Sequence, residues 1–459
     1  MSERCPGPSY QDILDRDAVT APDILRETSA ASLGREDLPI DVYLSPEQHR
    51  REVDGLWRRV WQIAGRVEDV ASPGDSFVYD LADDSLIVVR TQAGELRAYH
   101  NACLHRGTRL RDGAGRLERI RCPFHGFTWS LEGELRDVPC RWDFPQIEEA
   151  RFRLPEAKVA TWGGFVFVHF DPDCEPLETY LEHLPRHFER WPLEERAIAA
   201  RVERRVPCNW KVAVEAFVET YHILGVHPAN LPFFGDANSQ YDVWPDRRHM
   251  NRMLNASGVS SPHVRGELSE QRILDVAARF GMARPGTQVE PGGTARAALV
   301  RAARARLEQG LGLDTRGLGD AEVQDVIQYS LFPNVVLFGG FGSPLFYRVR
   351  PDGNDPGSCL FEVMLLLPVA PGAEKPAPAA RRWLEPHEKW SDVPELSFFG
   401  PVLDEDQEIM PRVQRGLRAT RKPGVTLGLY QESRIRHFRQ TLEAYVPRPA
   451  AGGGSLDAG

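Results

Sequence analysis

The sequence predicts an α+β protein: a small N-terminal all-β domain, then a longer domain of strands and helices. Three observations predict it. Short strands recur with period two from Asp75 to Phe170, helical spacing dominates several segments beyond residue 176, and turn residues separate the two kinds of run. Residues 1–44 are polar without a clear period and read as an N-terminal arm. Tyr43 to Ala64 reads as helical, with Leu56, Val60 and Trp61 at i, i+4 and i+5. Ser76–Leu81, Leu86–Arg90 and Glu95–His100 alternate as strands, with Gln92-Ala93-Gly94 as a hairpin signal. Arg116–Arg121, Phe127–Leu131, Glu134–Val138 and Gly164–Phe170 continue the series, so the β domain is expected over 45–175. A charged helical connection over 176–197 opens a second domain expected over 176–448. There Asn209–Gly225, 296–310, Asp404–Arg418 and Gln431–Tyr445 read as helices, 296–310 as an exposed one, and Val326–Tyr347 and Ser358–Val369 as strands. The Gly-rich 449–459 is expected to be a disordered tail.

Composition narrows the function classes. With 56 Lys and Arg against 66 Asp and Glu, the net charge of −10 argues against a nucleic-acid binder, which carries a basic footprint. No apolar run approaches the roughly 18 residues of a membrane span. The first residues, MSERCPGPSYQD, lack the apolar core of a signal peptide, so a cytoplasmic location is expected. Seven scattered cysteines, an odd number, do not form a disulfide framework. Gly339-Gly340-Phe341-Gly342 fits neither the GxGxxG nor the P-loop spacing, which leaves nicotinamide, flavin and ATP without a recognisable site.

Two cysteines stand apart. Cys103-Leu104-His105 and, after sixteen intervening residues, Cys122-Pro123-Phe124-His125 each place a thiolate and an imidazole on one tight loop. Tetrahedral zinc takes two cysteines and two histidines, but usually as a paired-cysteine segment followed by paired histidines. A Rieske [2Fe–2S] cluster matches the order better, because two cysteines hold one iron and two histidines the other. Cys5, Cys140, Cys174, Cys208 and Cys359 have no histidine at such spacing and read as ordinary thiols. The segments HNACLHRG and RCPFHGFTW resemble the Rieske motif of the Rieske non-heme iron oxygenases, in particular the oxygenase (alpha) subunits of ring-hydroxylating type.

A second constellation lies in PCNWKVAVEAFVETYHILGVHP, residues 207–228. Glu215, Glu219 and His222 recur at i, i+4 and i+7, on one face of the expected helix, with His222 in its last turns. His227 follows just beyond, before Pro228. Two histidines and a carboxylate from elsewhere form the facial triad of non-heme Fe(II) oxygenases. Glu-x-x-His also matches half of a di-iron site, but no second copy occurs in a comparable helical setting.

The segment is similar to the family's catalytic signature, and the resemblance runs from about Tyr43 to Tyr445. It implies that Cys103, His105, Cys122 and His125 hold the cluster and that His222 and His227 bind a mononuclear Fe(II). The third iron ligand implied is an aspartate in the acidic helix Leu403-Asp404-Glu405-Asp406 running to Gln414-Arg415-Gly416. Asp406 is the choice and Asp404 the fallback. Glu219 takes the position of the acid that bridges a cluster histidine and an iron histidine across subunits, where many ring-dihydroxylating members carry aspartate. Asn209 matches a position near the iron.

The implied fold is a Rieske β domain followed by a catalytic domain whose antiparallel sheet is covered by helices. The implied assembly is a homotrimer, with or without a small beta subunit. A ferredoxin or flavin reductase would bring electrons from NAD(P)H, with O₂ as co-substrate. Apolar residues in Leu231-Pro232-Phe233-Phe234-Gly235 and Leu331–Phe341 are candidates to line a pocket for a hydrophobic, aromatic or polycyclic small molecule. The alternatives are a monooxygenase of quaternary ammonium compounds and a Rieske electron carrier with a non-catalytic second domain.

Overall fold

The period-two segments close into two large sheets in the computed structural model, which describes residues 7–29 and 31–447. The first sheet has seven antiparallel strands, in the order Gln62–Arg66, Phe165–His169, Glu156–Trp162, Leu96–His100, Asp84–Arg90, Asp75–Leu81 and Gly115–Arg116. Beside it lies a three-stranded sheet of Ile120–Arg121, Thr128–Trp129 and Leu135–Asp137. Strand Asp84–Arg90 shows why the alternation is so hydrophobic. Leu86 and Val88 enter the main core, whereas Ile87 and Val89 enter a separate small core containing Cys103, Cys122, Phe127 and Trp129. Both faces are therefore buried, and each such side chain contributes roughly 1.5–3 kcal/mol.

The second sheet has eight strands, in the order Gln240–Asp242, Met250–Asn255, Val326–Leu331, Val335–Gly339, Leu345–Asp352, Asp355–Pro368, Arg196–Val206 and Arg381–Leu384. All its pairings are antiparallel except the last, which is parallel. Helices Trp210–Glu215, Phe399–Ala419 and Ser433–Tyr445 belong to this half of the chain. The two halves share one hydrophobic core, in which Phe165 stacks on Phe346. They also share a fully buried ion pair: Lys211 Nζ meets Glu52 at 2.7 Å, and Trp210 Nε1 donates to the same carboxylate at 2.9 Å. Among the described residues, no helix is long and apolar enough to cross a membrane.

Several expectations need correction. The helix expected over Tyr43–Ala64 ends at Gly55, and Gln62–Arg66 is a fully buried strand paired with Phe165–His169. Tertiary pairing wins over a weak helical spacing there. The connection expected over 176–197 holds only short helices before an eleven-residue strand, Arg196–Val206. Its charges hid the strand in the sequence. Arg201 is 5% exposed but reaches Glu362 at 2.9 Å and Asp69 at 2.8 Å, so paired charges occupy core positions. Strand Glu156–Trp162 was not expected, and Arg116–Arg121 splits into two short strands.

Helix Ala295–Leu311 forms but is half buried rather than exposed. The N-terminal arm is not loose. Its helix Tyr10–Leu14 is pinned by Tyr10 donating to Asp325 at 3.0 Å, and Arg296 bridges Asp17 and Asp325. The expected tail and Cys5 lie outside the described residues.

Candidate metal centres

The first cluster of chemistry-bearing side chains sits on two copies of one turn. Cys103 N–H donates to Thr108 O at 2.8 Å and Gly107 N–H to Cys103 O at 2.9 Å. The second loop repeats this: Cys122 N–H to Phe127 O at 2.8 Å and Gly126 N–H to Cys122 O at 3.1 Å. Each turn closes through a glycine at positive φ, +76° for Gly107 and +77° for Gly126, where a Cβ is strained.

The loops bring all four expected residues together. The His105 and His125 rings are 4.8 Å apart, and Phe127 stacks on His105. Both cysteines are buried, while His125 is exposed. Burial pushes the Cys103 thiol up. Burial acts the same way on Cys122, yet the backbone N–H groups of Phe124 and His125 outweigh it and hold that thiol below its usual range. Backbone donors aimed at sulfur, with two imidazoles alongside, fit a metal–thiolate cluster.

The second cluster is assembled across the chain. The helix expected over Asn209–Gly225 is broken: Trp210–Glu215 ends, and a short helix Ile223–Val226 follows. Glu219 helps form the break, because its Oε2 accepts the backbone N–H of His222 at 2.9 Å. His222 and His227 flank the short helix rather than lying within a long one. Helix Phe399–Ala419 supplies the third group. His227 Nε2 lies 3.0 Å and His222 Nε2 3.8 Å from Asp406 Oδ1, and one ligand atom from each residue lies within 4.8 Å of the others.

The outer nitrogens are engaged as well. His222 Nδ1 meets Glu219 Oε1 at 2.8 Å, and His227 Nδ1 meets Glu405 Oε2 at 2.5 Å. Carboxylates on both Nδ1 atoms leave both Nε2 atoms facing Asp406, and this donor set fits one metal ion. At His222 burial disfavours the charged ring, but Glu219 and Asp406 outweigh it and raise its pKa to about 9.

Two expected residues lie elsewhere. Asp404 accepts the Trp390 backbone N–H at 2.7 Å and the Ser391 hydroxyl at 2.5 Å. Asn209 caps helix Trp210–Glu215, its Oδ1 accepting from Lys211 N at 3.0 Å and its Nδ2 donating to Pro356 O at 2.8 Å, so the amide does not reach the cluster. Glu405 was seen in the sequence only as the neighbour of Asp406, although the Glu-Asp pair was the available signal. A cavity opens on His222, His227 and Asp406, lined by Phe217, Phe233, Phe234, Phe280, Phe338 and Phe399 among others. Of the residues expected to line it, Phe233, Phe234 and Phe338 do, whereas Leu231, Leu331 and Phe341 do not.

Comparison with known proteins follows this division. Residues 60–148 match the Rieske [2Fe–2S] domain, and residues 186–448 match the catalytic domain of the ring hydroxylating alpha subunit. The chlorobenzene dioxygenase subunit alpha of Cupriavidus sp. (strain PS12) is 30% identical over 188 residues, 39% of this chain and 42% of that protein. The carnitine monooxygenase oxygenase subunit of Acinetobacter pittii (strain PHEA-2) is 28% identical over 222 residues, 47% and 58% respectively. The chain spans about half the length of the curated relatives it matches. In fold, it superposes on a quaternary ammonium Rieske monooxygenase with a TM-score of 0.63 at 17% identity, covering 94% of this chain and 100% of that one. It also superposes on naphthalene 1,2-dioxygenase from Rhodococcus sp. with a TM-score of 0.59 at 20% identity, covering 90% and 95%.

Proposed function

Because the chain belongs to the ring hydroxylating alpha subunit family, we propose that it is the oxygenase component of an electron-fed system that hydroxylates a neutral, apolar ring compound. The two domains imply a Rieske [2Fe–2S] cluster and a mononuclear iron. When bound, the cluster supplies single electrons and the iron supplies O₂-activating chemistry. The chain's own residues orient and enclose. Cys103, Cys122, His105 and His125 hold the cluster, and His222, His227 and Asp406 hold the iron. Glu219 and Glu405 accept from the Nδ1 atoms, which fixes the ring tautomers with Nε2 free to ligate. Glu219 is also the group proposed to couple the iron site to the cluster of a neighbouring subunit in a trimer. Electrons come from a ferredoxin or flavin reductase.

The observation that carries the substrate class is the cavity wall. Phenylalanine is its commonest lining residue and, among the described residues, no Lys or Arg lines it, so a substrate carboxylate would find no cation there. That separates this reading from a quaternary ammonium amino acid, even though aromatic faces can also hold an ammonium group. The test is reconstitution under argon, iron counting, and a substrate screen with a surrogate reductase. Three irons per chain and an apolar ring product one or two oxygens heavier are expected. Two irons with an intact cluster spectrum would instead indicate an electron carrier.

A further inference from the structure

Strand Val326–Leu331 turns Val326 and Gln328 towards the cavity, while Ile327 and Tyr329 are wholly buried in the core behind it. Gln328 is one of the polar side chains in a wall rich in phenylalanine, and it is only 4% exposed. Its Oε1 accepts from Arg434 Nη1 at 2.6 Å. A guanidinium can only donate, so the amide end facing Arg434 must be the oxygen. The NH₂ end is then fixed on the other side. Among the described residues, Nε2 has no hydrogen-bond partner, and Gln328 lines the cavity.

Arg434 is itself held rigidly. It is fully buried, with Nε on Asn251 Oδ1 at 2.5 Å, Nη2 on Ser330 Oγ at 2.6 Å and Nη1 also on Val218 O at 3.1 Å. All four acceptors are neutral, and no carboxylate pairs with it among the described residues. The guanidinium therefore polarises the Gln328 amide from behind the cavity wall, with Asp242 and Glu219 close enough to act on its charge but not bonded to it. Gln324, which also lines the cavity, differs: its Nε2 is buried without a partner and nothing sets its amide.

We propose that Gln328 is a substrate-positioning residue whose Nε2 donates a hydrogen bond to an oxygen on the substrate. The preferred substrates are then ring compounds that carry a neutral acceptor, such as a ring ketone, rather than bare hydrocarbons or quaternary ammonium compounds. This rests on the oxygenase reading and narrows it. Arg434 is the second positioning residue, since it fixes which end of the amide faces the ligand. An acceptor bound without its donor loses roughly five- to 150-fold in affinity.

Indane and 1-indanone share a skeleton and differ by one carbonyl, so their dissociation constants for the reconstituted holoenzyme, measured by titration calorimetry, isolate the contact. The wild-type protein is expected to bind 1-indanone several-fold more tightly than indane. Gln328→Leu removes the donor but costs Arg434 one of its four acceptors. Gln328→Glu removes the donor and keeps that acceptor, so it guards against a folding defect. Both variants are expected to weaken 1-indanone about tenfold and to leave indane within twofold. If indane binds and the ketone gains nothing, or if both variants keep the preference, the Gln328 assignment is overturned while the oxygenase reading stands. If the holoenzyme neither binds nor oxidises either compound, both fall.

Discussion

The proposed cluster loops take all four of their side chains from residues 103–125, whereas the proposed iron site takes two from residues 222–227 and its third from Asp406, at the far end of the second domain. The first is a pair of identical turns, each stabilised by its own backbone hydrogen bonds and a glycine at positive φ. The second exists only where a broken helix meets the long helix Phe399–Ala419. The difference teaches that the cluster geometry is a local property and the iron geometry a tertiary one. Burial follows suit. His125 is exposed, while His227 and Asp406 are 3% and 4% exposed.

The largest expected effect breaks the tertiary site alone. Asp406→Ala is expected to remove mononuclear iron and turnover while the cluster absorbance persists, whereas Asp404→Ala should lose only the turn at Trp390 and Ser391. Loss of iron with Asp404→Ala, measured by metal analysis, would shift the ligand by two residues. Next comes pH. In iron-free protein His222 has its pKa raised to about 9, burial being outweighed by Glu219. A raised folded-state pKa stabilises the fold fully below the unfolded value near 6.5, and that stabilisation is lost as pH rises through about 9. Iron must displace the proton, so affinity is expected to rise about tenfold per unit from pH 7 to 9 and then level off. Glu219→Gln should flatten that profile in an iron-binding titration.

Glu405→Gln tests the support behind His227. An amide in place of the carboxylate is expected to weaken iron binding about 10- to 100-fold without altering the cluster spectrum. The smallest effect belongs to the local site. Gly126→Ala puts a Cβ at φ +77°, against the flexible end of Arg121 at 3.2 Å and Pro139 Cγ at 3.4 Å, and should cost about 1 kcal/mol. Thermal melts followed at the cluster absorbance read it. If that substitution also released the mononuclear iron, the two sites would not be independent in the way their construction implies.

What could be read from sequence follows the same line. Cysteine and histidine spacing picked out two loops that the fold brings together, because a tight turn is specified by neighbours along the chain. His222 and His227 were legible for the same reason, but the break in the helix before them was not, since it is held by Glu219 accepting the His222 N–H beyond the end of Trp210–Glu215. Strand Arg196–Val206 was hidden because its charges find partners only in the folded sheet. By itself the sequence determined the donor types, their local order and the division into a β domain and a mixed domain. Tertiary structure decided that Asp406 rather than Asp404 meets the histidines, that Glu405 backs His227, and that Gln328 lines the cavity with its Oε1 held by Arg434. The physical reason is that each depends on which side chain another element, distant in sequence, presents within hydrogen-bond reach, and one-dimensional spacing carries no such information.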